Sequence, residues 1–355
     1  MPRISPTKSP ESRCRAALFF LALFLVFFSL ASEVAFNHYR LSKHSKRNPF
    51  FRKAWVEHVY RVSPKHPDEK LIIILSNSQG YGREFPDDKT YPVLLEKKLR
   101  EKTGSDVRVL NWSVPGLAAP EFVILAAAAH RLNPDIFVVV AGKRAFSSGH
   151  YLLDQETQER QPWATDSHYL LNHNDVKRYV PKSFIDHFFH PGDTMELFIA
   201  KLLAPWRYKD LPAAYLDRYS ITMPFFPKHP AADWFLDMQN KIPLAERINT
   251  SRNKRKRSVS TSNKPVSEEL LDQFIQATDT IRTKKIFIAM PERARRPGQT
   301  QQPIHGLIRQ PFEKGGYEII NMSGAIPPEH FISQSHLHQQ GHEIMAEKLS
   351  EVLSQ

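Results

Sequence analysis

The chain has 355 residues, of which 41% are hydrophobic and 24% charged, so it can bury the core of one large domain or two smaller ones. Its net charge of +12 is concentrated, because residues 1–67 carry +9 and residues 251–264 carry +6. The remaining residues are nearly neutral, which argues against a DNA- or RNA-binding domain. A single cysteine, Cys14, excludes a disulfide framework and a zinc site built from thiolates.

Residues 16–32 form a run of seventeen uncharged, mostly apolar residues near the start of the chain. A helix of about 20 apolar residues, with roughly 17 as the lower limit, spans a bilayer, so we expect a transmembrane signal anchor over residues 16–36. A basic tail, residues 1–15, precedes this segment, and a basic linker, residues 37–67, follows it, so the positive-inside rule does not decide the orientation. A cleaved signal peptide and a buried core helix are the alternatives. The anchor predicts a single-pass protein of the inner or cell membrane whose body is periplasmic or extracellular.

After residue 68, short apolar runs alternate with helical patterns. This alternation predicts an α/β fold with a doubly wound parallel sheet. The predicted strands are residues 71–76, 107–110, 136–140, 285–290 and 317–321, and the predicted helices are residues 91–102, 121–131, 270–283 and 344–353.

The alternation stops between residues 145 and 265, where proline, histidine and aromatic residues are frequent. We therefore predict that residues 68–144 and 266–355 are two parts of one domain. Residues 145–265, with the basic loop 251–264, would form a large insertion that covers the ligand-binding edge of the sheet, adds no central strand and sets specificity. Most of its aromatic residues would pack, and two or three could stack on sugar rings.

Two groups of residues inside the insertion resemble known signatures. Asp186, His187 and His190 are metal-ligand types, but the sequence places no third ligand, and a surface or satisfied histidine pair is the better explanation. Residues 252–257 resemble a nuclear-localisation patch, which we interpret as a solvated loop. We expect no metal, no cofactor and no nucleic-acid partner.

The first predicted strand, Leu71–Ser76, ends in the polar sequence Asn77-Ser78-Gln-Gly80. Ligands of parallel sheets bind beyond the carboxyl ends of the strands, which places Ser78 where chemistry commonly occurs. Asn77 and the glycines permit a tight strand-to-helix turn that would expose the serine hydroxyl. An ordinary strand followed by a polar loop is the alternative.

Near the other end of the chain, Ser333-Gln-Ser-His336-Leu337 precedes Gly341-His342 and an amphipathic helix. Together with Ser76-Asn77-Ser78, this pattern resembles the SGNH (GDSL-like) hydrolase superfamily. Two intermediate segments, Asn111–Gly116 and Gly142-Lys143-Arg144, follow predicted strands in the order that the family shows. The resemblance covers residues 68–145 and 266–355, and it implies a flavodoxin-like, three-layer fold.

The resemblance also implies serine acyl transfer. Ser78 would be the nucleophile and His336 the base that accepts its proton. The backbone N–H groups of Ser78 and Gly116 would bind the oxyanion, and Arg144 occupies the position of the family's oxyanion-hole asparagine.

A second departure from the family concerns the residue that orients the histidine. Ser333 stands where the family has an aspartate, so Ser333 itself, a backbone carbonyl or an acid such as Glu329 would have to orient the imidazole. The missing asparagine and aspartate make the resemblance a better predictor of fold than of activity.

Membrane-anchored members of this type resemble accessory proteins of polysaccharide O-acetylation and of D-alanyl transfer. We therefore expect an exported, anchored esterase or O-acyltransferase that acts on cell-envelope glycan through a Ser–His pair, beside a membrane-bound O-acyltransferase. The alternative is a catalytically degraded SGNH fold that binds glycan or scaffolds a membrane acyltransferase complex.

Overall fold

The computed structural model describes most of the regular structure of the chain. The described residues are 10–43, 56, 59–82, 85, 87–114, 117, 119–146, 167–189, 191–202, 266–293, 306–322, 324–333 and 335–354. They fall into two compact units.

The described part of the first unit consists of helix α1 (Pro10–Lys43) and residues 195–202. The window Cys14–Ser32 of α1 is long and apolar enough to cross a membrane, and none of it is buried. A signal sequence near the start of a chain has the same properties. The helix begins before and ends after the predicted span 16–36, because helical backbone continues into the polar residues on both sides of the apolar run.

The second unit contains a five-stranded, fully parallel sheet with the order β2-β1-β3-β4-β5. This is the doubly wound, flavodoxin-like order, so the predicted fold class is confirmed. The strands are β1 (Lys70–Ser76), β2 (Val107–Ser113), β3 (Ile136–Ala141), β4 (Lys284–Ala289) and β5 (Tyr317–Asn321).

Helices cover both faces of the sheet, as a parallel sheet requires. The helices of this unit and the helix that leaves it are α2 (Ser78–Tyr81), α3 (Tyr91–Thr103), α4 (Ala119–Ala129), α5 (Asn174–Lys177), α6 (Lys182–Phe188), α7 (Pro191–Leu202), α8 (Glu268–Thr278), α9 (Gly306–Lys314) and α10 (Gln339–Leu353). Side chains of α3 and α10 form one core with the isoleucines and valines on one sheet face. The opposite face carries α4, α8 and α9, where Phe274, Phe287 and Phe312 pack together.

Strands β3 and β4 pair directly over their full length, from Ile136 opposite Lys284 to Ala141 opposite Ala289, although more than a hundred residues separate them. In the part of the intervening chain that the structure describes, residues 167–189 and 191–202 form helices and turns and no strand. Residues 147–166 and 203–265, including the basic loop 251–264, lie outside the described residues.

Several boundaries differ from the predicted ones. Strand β2 continues to Ser113, because it pairs with β1 as far as Ser76. Helix α8 begins after Ser267, whose hydroxyl accepts a hydrogen bond from the Leu270 N–H, and it ends at Thr278 rather than at residue 283. Helix α10 begins at Gln339 rather than at residue 344. Helix α9 was not predicted, since Pro311 lies inside it and its composition is polar.

Candidate active site

The turn after β1 exposes Ser78 at the carboxyl edge of the sheet. Strand β1 ends at the buried Ser76, and Ser78 is the first residue of the short helix α2. Asn77 caps that helix, because its side-chain oxygen accepts a hydrogen bond from the Gln79 N–H at 3.0 Å. A buried strand, a capping asparagine and an immediate helical turn therefore hold the serine in a geometry like the nucleophile elbow of α/β-hydrolases.

Gly80 allows helix α2 to pack closely on the ends of two strands. A Cβ atom added at this position would lie 2.4 Å from Ser113 Oγ and 2.7 Å from Ser76 Cβ. Ser76 and Ser113 are opposite each other in β1 and β2. A larger residue would push α2, and Ser78 with it, away from the sheet.

The loop after β5 holds His336 in a closed turn. Phe331 and Leu337 form an antiparallel bridge across this turn, and the Ile332 N–H donates to the His336 carbonyl at 2.8 Å. The Ser333 hydroxyl accepts a hydrogen bond from the His336 backbone N–H at 3.2 Å. Local backbone bonding, rather than a strand, therefore sets the position of the histidine.

Ser78 and His336 meet although 258 positions separate them in the chain. The distance between Ser78 Oγ and His336 Nε2 is 3.0 Å, and the pair is partly buried. This is the contact that a general base needs in order to take the proton of a serine nucleophile. For that role Nε2 must accept, so the proton of the neutral imidazole would be on Nδ1.

Gln79 joins the two loops that carry this pair. Its side chain is 1% exposed, and its amide nitrogen donates to the Pro291 carbonyl at 3.0 Å and to the Ser335 carbonyl at 2.9 Å. Gln79 follows Ser78 in the chain, and Ser335 precedes His336. One buried amide therefore links the serine turn to the segment that precedes His336. Sequence reasoning missed this role, since a glutamine beside the serine gives no indication of the distant carbonyls that it contacts.

The predicted orienting groups do not bring a carboxylate to the imidazole. The Ser333 hydroxyl is engaged with the backbone of His336, as described above. Glu329 lies exposed in the 3-10 turn Pro328–His330 and, in the described part of the chain, makes no ion pair with His336.

The predicted oxyanion-hole residues are described only in part. The Ser78 N–H lies at the start of α2, where backbone N–H groups point away from the helix. Gly116 lies outside the described residues, although the Val114 N–H donates to the Ser76 carbonyl at 3.3 Å and so ties the preceding residues to the end of β1. Arg144 belongs to the 3-10 turn Lys143–Phe146 directly after β3, and its side chain lies outside the described residues.

The carboxyl end of β4 adds an acidic group that sequence reasoning missed. A Cβ atom added at Gly142, after β3, would lie 3.5 Å from Glu292 Oε1. The Asn77 amide nitrogen contacts Met290 Sδ at 3.3 Å, which brings the β4 end against the serine turn. A carboxylate therefore lies over the turn after β3, on the same sheet edge as Ser78.

His342 has a structural position. It is buried, its Nδ1 accepts a hydrogen bond from the Tyr91 N–H at 3.2 Å, and its ring stacks near that of Tyr91. It thus caps the first turn of α3, where the adjacent Thr90 gives no side-chain cap. Burial raises the pKa of Tyr91 well above its usual value, so this hydroxyl stays protonated.

The residues of metal-ligand type in the insertion are engaged elsewhere. Lys182 Nζ lies 2.5 Å from the Asp186 carboxylate, and His187 Nδ1 lies 3.6 Å from Glu269 Oε1. His190 lies outside the described residues. Within the described ranges, no cluster of three histidine, cysteine or acidic residues could hold a metal ion.

Comparison with known proteins identifies similar solved structures. Among them are the psychrotrophic esterase EstA from Pseudoalteromonas sp. (9% identity, 80% of this chain and 96% of that chain, TM-score 0.36) and the carbohydrate acetylesterase Est24 from Sinorhizobium meliloti (9%, 80% and 98%, 0.34). A third, from Desulfitobacterium hafniense, is described as a lipolytic protein of the G-D-S-L family (7%, 80% and 99%, 0.35). Two of these three neighbours are described as esterases, and one as a member of the G-D-S-L family. No protein-family model and no curated protein matches the chain.

Proposed function

We propose that this protein is an SGNH-type serine esterase or acyltransferase in which Ser78 and His336 perform the chemistry. The observation that supports this proposal is the 3.0 Å contact between Ser78 Oγ and His336 Nε2 at the carboxyl edge of the sheet. A neutral serine hydroxyl is a weak nucleophile, and an adjacent imidazole is the group that most commonly activates it.

The proposed reaction has two halves. Ser78 Oγ attacks the carbonyl carbon of an ester while His336 Nε2 takes the hydroxyl proton, and the carbonyl oxygen becomes an oxyanion that faces the Ser78 N–H. Collapse of this intermediate breaks the ester bond, and the imidazolium gives its proton to the departing alkoxide. Water or an acceptor hydroxyl then attacks the acyl-serine, with His336 first accepting and then returning a proton. Gly116 and Arg144 are our candidates for further oxyanion donors.

We propose that the enzyme acts at a membrane surface on cell-envelope glycan. Support for this location comes from the apolar window Cys14–Ser32, which would serve as an uncleaved single-pass anchor with the body on the periplasmic or extracellular side. The aromatic-rich insertion, residues 145–265, would supply stacking surfaces for sugar rings, and a membrane-bound O-acyltransferase would be the partner that delivers acyl groups.

A comparison of four proteins tests the chemistry: wild type, Ser78→Ala, His336→Ala and, as a matched control, the exposed-loop variant Ser105→Ala. Each is incubated with an aryl acetate and, separately, with a fluorophosphonate that labels activated serines. We expect Ser78→Ala and His336→Ala to lose at least about 10³-fold in kcat/KM, as triad members do, and label to be found on Ser78 alone. Equal rates for all four proteins, or label on another serine, would refute the proposal.

One observation favours the second function, a degraded SGNH fold that binds glycan or scaffolds an acyltransferase complex. Ser333 replaces the family's aspartate, and its hydroxyl is used by the His336 backbone. Under this hypothesis the folded protein would neither turn over esters nor take up the fluorophosphonate, yet it would still bind polysaccharide or co-purify with a membrane acyltransferase.

A further inference from the structure

Helix α7 presents two different faces. Leu197 and Ala200 are buried, whereas Met195 and Phe198 are 59% and 57% exposed. Residues three positions apart lie on the same side of a helix, so these two exposed side chains form one apolar strip. Lys201, three positions further along, is also exposed, which gives the strip a basic end.

This strip is unusual among the described residues outside α1. Only two other large apolar side chains there are exposed, Val93 (41%) on α3 and Leu307 (44%) on α9; both are less exposed than Met195 and Phe198, and each stands alone on its helix. Single exposed apolar residues are ordinary in soluble proteins. Two exposed apolar side chains on one helix face form a small surface that contact with an apolar phase would stabilise.

The place of these residues in the molecule indicates what that surrounding is. Residues 195–202 belong to the same compact unit as α1, whose window Cys14–Ser32 could cross a membrane. Lipid is therefore our candidate for the apolar phase that covers Met195 and Phe198. An interfacial helix buries its apolar face at the boundary between headgroups and acyl chains, and lysine side chains reach back to the headgroups.

We propose that the C-terminal half of α7 lies in the membrane interface, with Met195 and Phe198 in the acyl-chain boundary and Lys201 at the headgroups. This inference rests on the membrane anchor of the proposed function. It adds a second lipid contact, far from α1 in the chain, and the partner is a bilayer surface rather than another protein.

Site-directed spin labelling of the full chain in lipid nanodiscs of phosphatidylcholine and phosphatidylglycerol tests this proposal. The single cysteine is removed by Cys14→Ser, and one nitroxide is attached through Met195→Cys, Phe198→Cys, Phe24→Cys in α1 or Val93→Cys in α3. Power saturation then compares access of oxygen, which dissolves in lipid, with access of a water-soluble nickel chelate. We expect the oxygen-to-nickel ratio at positions 195 and 198 to shift from the value at position 93 toward the value at position 24.

Three outcomes would overturn the inference, and they are distinguishable. Positions 195 and 198 could match position 93 while position 24 reports lipid, which would leave the anchor intact. All four positions could report water, which would refute the anchor as well. Labels at 195 and 198 could be shielded from both reagents, which would indicate a protein contact instead of lipid.

Discussion

Ser78 follows a strand whose residues 71–76 are all buried, whereas His336 follows β5, the edge strand, in which only Tyr317 is buried. The position of Ser78 is set by the packing of β1, to which many buried side chains contribute. The histidine loop is anchored by the buried Phe331 and Leu337, but the position of His336 within it depends on a few hydrogen bonds: Gln79 donates to the Ser335 carbonyl, and the Ser333 hydroxyl accepts from the His336 N–H. Packing is distributed over many contacts, but each hydrogen bond depends on one side chain. We therefore expect that only a large steric change displaces Ser78, whereas a single polar substitution displaces His336.

The largest effect is expected from Gly80→Val, which disrupts the packing of the serine turn against the sheet. The added atoms would overlap Ser113 Oγ and Ser76 Cβ, so helix α2 would have to move. Overpacking of this kind costs about 1–3 kcal/mol of unfolding free energy, and we expect ester hydrolysis to disappear with it. Urea unfolding measures the first effect and aryl acetate turnover the second.

Gly192→Ala is the matched control, because a Cβ atom at Gly192 meets nothing within 4 Å. It should leave the urea midpoint within error of the wild type. An unchanged midpoint for Gly80→Val would contradict the close approach of α2 to the sheet.

The second-largest effect is expected at Gln79, which links the serine turn to the histidine loop. Gln79→Leu keeps the size of the side chain but removes the donors to the Pro291 and Ser335 carbonyls. Leaving buried polar groups unpaired costs about 1–3 kcal/mol each, and a base displaced by 1 Å can lower the rate about 100-fold. We expect a fall in kcat, with little change in KM, and slower fluorophosphonate labelling of Ser78. Gln340→Leu, at an exposed position of α10, should change neither.

Gln79→Glu sharpens the same comparison. A carboxylate cannot donate to two carbonyl oxygens, so this variant should be at least as impaired as Gln79→Leu at neutral pH. Wild-type activity in both variants would show that Gln79 does not position His336.

A smaller effect, and one in the opposite direction, is expected at Ser333. An aspartate there could keep the hydrogen bond to the His336 backbone with one oxygen and offer the other to the imidazole. Loss of the corresponding aspartate lowers serine protease rates by about 10⁴-fold, so Ser333→Asp should raise kcat/KM by at least about tenfold if the ring is within reach. Steady-state kinetics on an acetyl ester measure this, with Ser333→Ala as the partner variant. No gain would mean that the ring is oriented from another direction.

The smallest effect is expected where α10, which follows the histidine loop, meets α3. Lys98 and Lys102 both contact Glu347, and their hydrogen bonds lower the pKa of this carboxyl from about 4.5 to about 2. The folded state therefore holds the Glu347 proton more weakly than the unfolded state does. The resulting stabilisation is complete above about pH 5 and is lost as the pH falls toward 2. Thermal unfolding of Glu347→Gln should show a small loss of Tm at pH 7, and a Tm equal to that of the wild type near pH 2 would confirm the sign.

Sequence reasoning predicted the sheet well because burial leaves a simple pattern. The runs Leu71–Leu75 and Ile136–Val140 are continuous and apolar because both faces of a central parallel strand are covered. Helix α9 was missed because its two buried residues, Ile308 and Phe312, are separated by Pro311 and polar neighbours. Helices α5 and α6 were missed because four and seven residues are too few to repeat a helical pattern. Helix α7 has twelve residues, but it lies in the segment rich in proline, histidine and aromatic residues that was interpreted as an insertion without regular alternation.

The pairing of Ser78 with His336 was expected from the family resemblance, but the groups that hold the two residues together were not predictable. Nothing in the local sequence indicates that Gln79 donates to carbonyls 212 and 256 positions away. Likewise, Glu292 reaches the site edge only because β4 lies beside β3. Such groups act through tertiary contacts, and a linear pattern does not record those.

The 258 positions between Ser78 and His336 also have a consequence for biosynthesis. The turn of the nucleophile can form as soon as β1, β2 and β3 have left the ribosome. The base cannot reach it until β4 and β5 have been added, since those strands carry the loop across the sheet. The final helix then packs its Gly341 against the His330 carbonyl, at a separation that leaves no space for a side chain. Contacts between such distant parts of a chain form late in folding, so the proposed Ser78–His336 pair would assemble only after the histidine loop has been synthesised. A polypeptide truncated by translational stalling would therefore carry a serine without a base.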